Sequence, residues 1–503
     1  LRVYHSIKND TTYHKSDELL NNFGYYLLKN DKLKEALNVL KLNTEEYPSK
    51  ANTYDSYAEA LVKAKQFDKA IYMYEKSISL APEDSYSYYQ LLNVYSFLSE
   101  REKELSLLKK VILSFPNDKK QNVDKLIHTY LKYGDVNLAI NQFNQLRKTY
   151  PEYLFPFSRE QLKKNNIDVP QINDGWIEHH KQSPLLNQLK KSVQNNTFKN
   201  INGILITRND SILYEEYFNN SHIFSLHDSR SVGKTITSAL LGLAIRDQHI
   251  ASINEPISNF YQLNNFKNNS KNKSSVTLKH LVTMSSGFSG NDFNPNSIGN
   301  ENNMYSQKNW VKWTLNLPMS HNHKPGDKWF YFTAGVVLLG DILNKAIPSG
   351  LEDYAHKKLF KPLKISDYQW TYTPQDIPNT AGGIKLSARS LASFGKLYKA
   401  NGLVNGKQVL PVSWVKESLQ SHYLTTIPNN YYGYLFWKKS YTVKNKLRSV
   451  SFCSGNGGNK IFLIENTNVV IVITASAYNT KYMHTQVDNI MQNYILPSLF
   501  TSI

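Results

Sequence analysis

RSVGKTITSALLGLAI, residues 230–245, decides the fold of the C-terminal part of this chain. The small and apolar residues of this stretch predict a buried helix that carries Ser231 on its first turn. Ser231 and Lys234 are three residues apart, so both side chains lie on one helical face. Free backbone N–H groups at a helix start favour developing negative charge. The stretch therefore predicts a serine nucleophile with its own basic amine.

The serine-x-x-lysine spacing is weak when taken alone. The same spacing begins at four other serines, which are Ser106, Ser270, Ser393 and Ser413. Only Ser231 precedes a long apolar helix and follows a plausible strand hairpin. The alternative is that Ser231 is a helix-start residue and Lys234 a solvated charge.

Composition limits the class of protein. A chain of 503 residues is expected to form two or three domains, and no apolar run approaches the roughly 18 residues that span a bilayer. The formal charge of +18 comes from dispersed lysines without a nucleic-acid motif, which favours solvated faces over nucleic-acid binding. The single cysteine, Cys453, excludes an intrachain disulfide and a cysteine metal cluster. The chain begins at Leu1 without a basic-then-apolar leader, so we expect a targeting segment to be absent or removed.

Prolines mark a repeat in the N-terminal part. Pro48, Pro82 and Pro116 recur every 34 residues, and Pro151 follows after 35. Twelve residues before each proline stand Ala36, Ala70, Glu104 and Ala139. This pattern resembles the tetratricopeptide repeat, in which small residues let paired helices approach and a proline ends the second helix. About four repeats over residues 17–152 are expected, an irregular helical domain being the alternative.

A connector over residues 153–175 and a second domain over residues 176–503 follow. Residues 201–207 and 212–218 are strand-like and flank a hairpin turn. Three further strands are predicted at 449–453, 460–465 and 469–475, with a helix over 483–499. Five strands at the two ends of a domain, with helices between them, predict one antiparallel sheet covered by helices on both faces.

Tyr331 is the third candidate for the chemistry. A serine needs a neighbouring base, and a lysine can serve only when it is neutral, which requires a pKa lower by roughly 3 units, or about 4 kcal/mol. A tyrosine in the same cavity can share the proton transfer. Tyr331 lies between Pro325-Gly326 and the apolar stretch TAGVVLLGDIL at residues 333–343.

With these residues the second domain resembles the serine beta-lactamase and penicillin-binding-protein superfamily, nearest its class C-like esterase and peptidase branch. Two further stretches are similar to that family, VTLKHLVTMSSG at 276–287 and AGGIKLSARSLASFG at 381–395. The resemblance covers residues 176–503. It implies an α/β domain with an antiparallel five-stranded sheet and a helical subdomain, behind an all-α repeat domain.

The resemblance also implies roles for single residues. Ser231 would be the acylated nucleophile, Lys234 its activating partner and Tyr331 the general base. The oxyanion would lie between the N–H of Ser231 and a donor on the strand ending Cys453-Ser454-Gly455-Asn456, with Asn456 as the candidate donor. Ser454, Gly455 and Thr333 complete the expected substrate-binding set.

Two departures from the family pattern concern the substrate. Thr333 stands where asparagine or serine is usual, and Cys453 replaces a lysine or histidine that holds a substrate carboxylate. The loss of that cation favours an ester or neutral amide substrate, unless Arg448 or Lys460 compensates. Cys453 itself is expected to be a small packed residue.

The leading hypothesis is an esterase for small acyl esters. The alternatives are a D-amino-acid peptidase, amidase or lactamase-like cell-wall enzyme, and a catalytically silent ligand-binding scaffold. No metal or organic cofactor is implied. The repeats suggest a protein or peptide partner. The family resemblance favours a periplasmic or secreted location, although no residue of the chain specifies one.

Overall fold

The computed structural model describes residues 16–170 and 172–500 of the chain. The chain divides into two compact units, and the boundary between them in the sequence lies between Ile172 and Asn173. The predicted order, a run of helices followed by a domain of sheet and helices, is confirmed. The domain limits 17–152 and 176–503 stay predictions.

The first unit contains eight successive helices between Asp17 and Thr149. Helices α1 to α8 span Asp17–Lys29, Leu33–Glu46, Ala51–Lys63, Phe67–Leu80, Ser85–Leu98, Arg101–Ser114, Lys119–Lys132 and Val136–Thr149. Each of the four prolines comes two residues after the last residue of an even-numbered helix, α2, α4, α6 or α8. The prolines thus end the helices that the 34-residue period predicted.

Small residues stand where these helices meet. Ala36, Ala70 and Ala139 are fully buried. A Cβ on Gly24 would lie 2.4 Å from a methyl of Leu40, so only glycine permits this approach of α1 and α2. The helical pairs agree with the repeat pattern, while their assignment as tetratricopeptide repeats stays a prediction.

The start of the expected connector packs on the first unit. Helix α9 spans Arg159–Lys164, and Phe155 and Leu162 are fully buried in the same core as α1 to α8. The Phe155 ring lies 4.6 Å from that of Phe143. Residues 153–169 therefore fold with the helices before them.

A nine-stranded sheet forms the centre of the second unit, with strand order β1-β3-β2-β14-β13-β12-β11-β10-β9. These strands are β1 Ile177–Glu178, β2 Ile201–Arg208, β3 Ser211–Tyr217, β9 Tyr423–Leu424, β10 Tyr431–Tyr432, β11 Trp437–Val443, β12 Lys446–Gly455, β13 Asn459–Ile464 and β14 Val469–Ala475. Only β1 pairs in parallel. Two smaller sheets are separate from this one. The first has three strands, β4 His227–Asp228, β5 Tyr368–Trp370 and β6 Ile384–Leu386. The second is a hairpin of β7 Leu403–Val404 and β8 Lys407–Gln408.

The predicted count of five strands is wrong, although the five predicted strands are five contiguous members of the sheet. β1, β9 and β10 have two residues each, which is too short for an alternating pattern to show in the sequence. β11 carries Lys438, Lys439 and Ser440 in its centre, so its apolar face is interrupted. Edge elements of this kind depend on pairing with a strand that already exists.

Helices cover both faces of the sheet. The remaining helices, α10 to α21, span Pro184–Gln194, Gly233–Arg246, Lys271–Ser274, Leu278–Val282, Glu301–Tyr305, Trp310–Asn316, Thr333–Ala346, Leu351–Ala355, Ala388–Lys399, Val412–Leu419, Met483–Ile490 and Leu496–Phe500. Gly395 of α18 lies against Ile461 and Leu463. Lys439 pairs with Val450, and Val450 pairs with Ile464, so Lys439 lies on the face of the sheet opposite to Ile461 and Leu463. On that face the Lys439 Nζ donates to the carboxylate of Asp488 in α20.

Helix α11 lies at the centre of the helical layer. Every residue from Gly233 to Ala244 is buried, and α11 packs against α16. A Cβ on Gly242 would lie 2.6 Å from the Trp414 ring. Because apolar residues surround it on all sides, α11 holds its first turn at a fixed place in the domain.

Among the described residues no single helix has both the length and the apolar character to cross a membrane. By those two criteria one pair of helices would pass together, Thr333–Ala346 with Leu351–Phe360, bent by 90°.

Lys273 joins two parts of the helical layer. Its side chain is fully buried, and its Nζ donates to the carbonyls of Lys267, Leu315 and Leu317 at 3.0, 2.7 and 2.7 Å. The ammonium thereby satisfies three backbone acceptors around the end of α15.

We expect Lys273→Met to lower the free energy of unfolding by about 3 kcal/mol, because buried carbonyls would lose their donor. Urea denaturation followed by circular dichroism measures this. Lys271→Met, at an exposed position of the same short helix, is the matched control and should change stability by less than about 0.5 kcal/mol. Equal losses in the two variants would contradict a structural role for the Lys273 amine.

Candidate active site

Ser231 and Lys234 are in direct contact. Ser231 lies in a single 3₁₀ turn, Arg230–Val232, that leads into α11, and Lys234 lies on the first turn of α11. The Lys234 Nζ is 2.7 Å from the Ser231 Oγ and 2.6 Å from the carbonyl oxygen of Ala381. The sequence placed Ser231 on the helix itself, and the structure places it one turn earlier.

Two glycines let other segments close around the serine. A Cβ on Gly382 would lie 2.9 Å from the carbonyl carbon of Arg230, and a Cβ on Gly455 would lie 2.2 Å from the carbonyl oxygen of Ser229. Arg230 itself has a φ of 49°, in the left-handed region that costs a non-glycine residue about 1 kcal/mol. The backbone around Ser231 is therefore tightly specified on both sides.

Burial changes the basicity of Lys234. The side chain is 1% exposed, and this burial lowers the pKa of the amine, while the carboxylates of Glu301 and Asp292 oppose the change. The neutral amine is thus favoured relative to a lysine in water. A neutral amine beside a hydroxyl can accept its proton.

Tyr331 lies on the other side of the same pair. It is 8% exposed, and its ring centroid is 5.3 Å from the Lys234 Nζ. Burial raises the pKa of the Tyr331 phenol well above its usual range, and the contact with Ser231 acts in the opposite direction. The structure therefore brings together the hydroxyl, amine and phenol that the sequence singled out.

Asp292 is a neighbour of this group that sequence reasoning missed. Its carboxylate accepts hydrogen bonds from the N–H groups of Thr333 at 2.6 Å and Glu301 at 2.8 Å. Burial and the nearby Glu301 raise the pKa of Asp292 to about 6, while the contacts with Thr333 and the charge of Lys234 act in the opposite direction. The residue lies in a polar loop without periodicity, so its single negative charge among asparagines was the only available signal.

The strand β12 forms the wall opposite α11. Its end, at Gly455, packs against the 3₁₀ turn that carries Ser231. Cys453 is fully buried and faces α11, where the Thr235 hydroxyl donates to its Sγ at 3.4 Å. Ser454 points to the other face and accepts a hydrogen bond from the Lys460 Nζ at 2.7 Å.

The Asn456 side chain is bonded within the protein, whereas the buried Thr333 hydroxyl has no hydrogen-bond partner among the described residues. The Asn456 amide donates to Asn479 Oδ1 at 2.7 Å, and its Oδ1 accepts from the Asn479 N–H at 2.8 Å. The Asn456 side chain is thus turned toward the loop after β14. The oxyanion prediction therefore concerns the backbone N–H of Asn456. The Thr333 side chain is fully buried at the start of α16. Substrate-binding roles for both residues stay predictions.

Lys460 and Arg448 occupy different surroundings. Lys460 is 5% exposed, and burial, with a smaller contribution from Lys439, lowers its pKa to about 7. The Arg448 guanidinium lies 4.2 Å from the ring centroid of Phe500. Lys460 and Arg448 are the two cations that could replace a lysine or histidine at position 453. Of these two, Lys460 is bonded to Ser454 of β12.

Aromatic rings cover the outer side of Tyr331. Phe293 stacks on the Tyr331 ring with centroids 5.2 Å apart and an interplanar angle of 1°, and Trp437 stacks at 5.8 Å. Trp329 lies 6.3 Å from the same ring. Phe293 is 50% exposed, so this apolar wall continues to the protein surface.

Comparison with known proteins agrees with this geometry. A model of the Beta-lactamase family matches residues 196–492, more than half of the chain. An uncharacterized protein of Alkalihalophilus pseudofirmus is 20% identical over 236 residues, a match that covers 41% of this chain and 61% of that relative.

Two solved structures are similar to this chain, and the first of them, with a TM-score of 0.50, shares the fold of the second unit. A Bacillus anthracis protein assigned as a 6-aminohexanoate-dimer hydrolase has a TM-score of 0.50 and 18% identity, covering 64% of this chain and 83% of its own. A family VIII carboxylesterase has a TM-score of 0.49 and 11% identity, covering 63% and 99%. At these identities the likeness concerns the fold alone.

Cys453 should be unreactive in the folded protein, because it is fully buried and burial raises the pKa of its thiol to about 12. We expect 5,5′-dithiobis(2-nitrobenzoic acid) to modify it at least about 100-fold more slowly in the native protein than in 6 M guanidinium chloride, because thiolate is the reactive form. Absorbance at 412 nm measures the reaction. Rapid stoichiometric labelling of the native protein would contradict this placement.

Proposed function

This chain belongs to the Beta-lactamase family and is a serine hydrolase, and from that premise we propose that it hydrolyses small acyl esters through an acyl-enzyme on Ser231. The observation that carries the proposal is the 2.7 Å contact between the Ser231 Oγ and the Nζ of Lys234, a lysine that is 1% exposed. The assignment of each residue to a role below is part of this proposal.

Acylation begins with transfer of the Ser231 proton to the neutral Lys234 amine. The Ser231 Oγ then attacks the ester carbonyl carbon, and the carbonyl oxygen takes up negative charge. The N–H groups of Ser231 and of Asn456 stabilise that oxyanion. When the tetrahedral intermediate collapses, the C–O bond to the alcohol breaks and the Tyr331 phenol supplies the proton of the leaving alcohol.

Deacylation reverses these transfers. The Tyr331 phenolate, held near the Lys234 ammonium, takes a proton from water, and the hydroxide attacks the acyl carbon. The bond to Ser231 Oγ then breaks, and Lys234 returns a proton to the serine. The cycle consumes one ester and one water and yields one acid and one alcohol. The phenol pKa, raised by burial, is consistent with a neutral Tyr331 in the resting enzyme.

The surroundings of β12 support an ester substrate. The position of the usual cation is held by Cys453, which is buried against Thr235 and carries no charge to bind a substrate carboxylate. The apolar rings of Phe293 and Trp437 flank Tyr331 instead. A neutral, apolar acyl ester fits such a wall better than an anionic peptide.

An amidase or peptidase is the second candidate. The observation that favours it is Lys460, whose amine bonds Ser454 on the strand beside the site. A charged Lys460 could support recognition of a carboxylate through Ser454.

We also propose that the helical repeats bind a protein or peptide partner, on the basis of their helical pairing alone.

Covalent labelling separates an enzyme from a catalytically silent scaffold. We expect a fluorophosphonate probe to modify Ser231, because the adjacent amine increases the nucleophilicity of its hydroxyl. Mass spectrometry of peptides identifies the site, and Ser231→Ala should abolish labelling. A folded native protein that stays unlabelled would support the scaffold.

Lys234→Ala and Tyr331→Phe should each slow acylation of Ser231 by about 100-fold or more, because each removes one member of the proton-transfer group. Burst kinetics with p-nitrophenyl acetate measure acylation, and circular dichroism checks folding. Tyr372→Phe deletes an exposed phenol that bonds Glu352, and it should acylate within about twofold of the native rate. Near-native acylation in either site variant would remove that residue from the mechanism.

Substrate ranking tests the ester preference. We expect kcat/KM to be highest for p-nitrophenyl acetate and lower for nitrocefin and D-alanyl peptides, since no charge stands at position 453 to hold their carboxylates. Parallel assays at one pH and salt concentration give the ranking. A clear preference for nitrocefin or the peptides would favour the second candidate.

A further inference from the structure

We propose that Asp292 is a positioning residue that holds Tyr331 against Ser231, and that Asp292 and Glu301 are the negative charges that assist the buried Lys234 amine in activating the serine. The inference rests on the function proposed above and adds two acidic residues to it. Neither acid was expected from the sequence, and neither touches the reacting atoms.

Asp292 joins the loop over residues 289–300 to the segment 331–333. Its backbone N–H donates to the Tyr331 carbonyl at 2.8 Å, and its carboxylate accepts from the Thr333 N–H at 2.6 Å. The next residue, Phe293, stacks on the Tyr331 ring. Two adjacent residues therefore contact the Tyr331 carbonyl, the Tyr331 ring and the Thr333 N–H, which fixes Tyr331 and the start of α16.

The same carboxylate also anchors the loop at its other end. Its second oxygen accepts from the Glu301 N–H at 2.8 Å, at the start of α14. The loop is closed where Gly299 meets Gly290, since a Cβ on Gly299 would lie 2.6 Å from the Gly290 Cα. With both oxygens of Asp292 bonded to N–H groups, the loop is a fixed wall beside Tyr331.

Both acids lie near the amine, because Asp292 bonds the backbone of Tyr331, whose ring lies 5.3 Å from the Lys234 Nζ, and Glu301 bonds Asp292. Burial lowers the pKa of Lys234, and Glu301 and Asp292 are the two groups that oppose this. Burial alone would leave a weak base, whereas nearby negative charge increases the affinity of the amine for a proton. A base of moderate strength removes the serine proton more readily than a very weak one.

The ionisable groups that face this centre come from three elements. Lys234 belongs to α11, Glu301 and Tyr305 belong to α14, and Tyr331 precedes α16. The Tyr305 phenol donates to a Glu301 carboxylate oxygen at 3.0 Å. Lys234 is the cation that faces both acids within this described set.

The direction of the pH effect follows from these charges. The activating lysine must be neutral, so activity is lost as pH falls through the pKa of Lys234. Removing a nearby negative charge lowers that pKa, so the acid limb of kcat/KM moves to lower pH. The amine also becomes a weaker base, so the plateau falls.

Two variants separate charge from position. Glu301→Gln removes a charge and leaves the Asp292 hydrogen bonds in place, so we expect the acid limb to fall by about 0.5 pH unit and the plateau by less than about fivefold. Asp292→Asn removes a charge and one of two acceptors, so the limb should fall similarly and the plateau by about 10- to 100-fold, because Tyr331 is no longer held. Asp367→Asn, at an exposed carboxylate, should change neither.

The measurement is the pH dependence of p-nitrophenyl acetate hydrolysis, combined with NMR titration of ¹³Cε-labelled lysine to follow Lys234 in the same variants. An unchanged acid limb and an unchanged Lys234 titration in both variants would overturn the electrostatic half. A plateau for Asp292→Asn no lower than that of Glu301→Gln would overturn the positioning half. Failure of the native protein to acylate at Ser231 would instead overturn the proposed function, and the NMR titration would still judge the charges.

Discussion

The contact between the Lys234 amine and the Ser231 hydroxyl is the interaction on which the second unit depends for any chemistry. It places a lysine that is 1% exposed at the start of a helix buried from Gly233 to Ala244. Burying an ammonium is costly, and the polar partners here are one hydroxyl and the Ala381 carbonyl. The site is therefore built so that the amine is most stable when it can share or lose a proton. In the proposed mechanism, that property makes Ser231 the nucleophile.

The rest of the domain keeps this contact in place. Segments distant in sequence reach the serine because Gly382 and Gly455 leave no Cβ in the way. The antiparallel pairing of β12 with β13 sets the position of Gly455, and the packing of α16 on α11 sets that of Tyr331. Precision at the three reacting groups thus comes from a sheet and two buried helices, which are rigid elements.

The distribution of positive charge around β12 distinguishes this chain from the pattern of its family. Position 453 carries a neutral, buried thiol, while a lysine one strand away bonds the neighbouring serine from the other face of the sheet. Strand alternation is the reason that Cys453 and Ser454 face opposite sides. The Lys460 cation therefore lies beside β12, but on the face of the sheet opposite to the one on which Cys453 contacts α11.

Local sequence determined the elements whose signals are periodic or closely spaced. The Ser231–Lys234 spacing, the prolines that end the repeat helices and the five longer predicted strands could all be read from the chain, because each depends on neighbours within one turn or one strand. Tertiary structure alone decided the short edge strands, the turn of the Asn456 side chain toward Asn479, the bond from Lys460 to Ser454 and the place of Asp292 beside Thr333. These features join residues that are far apart in the sequence or lie in loops without periodicity, so the partner that satisfies each polar group exists only once the chain has folded.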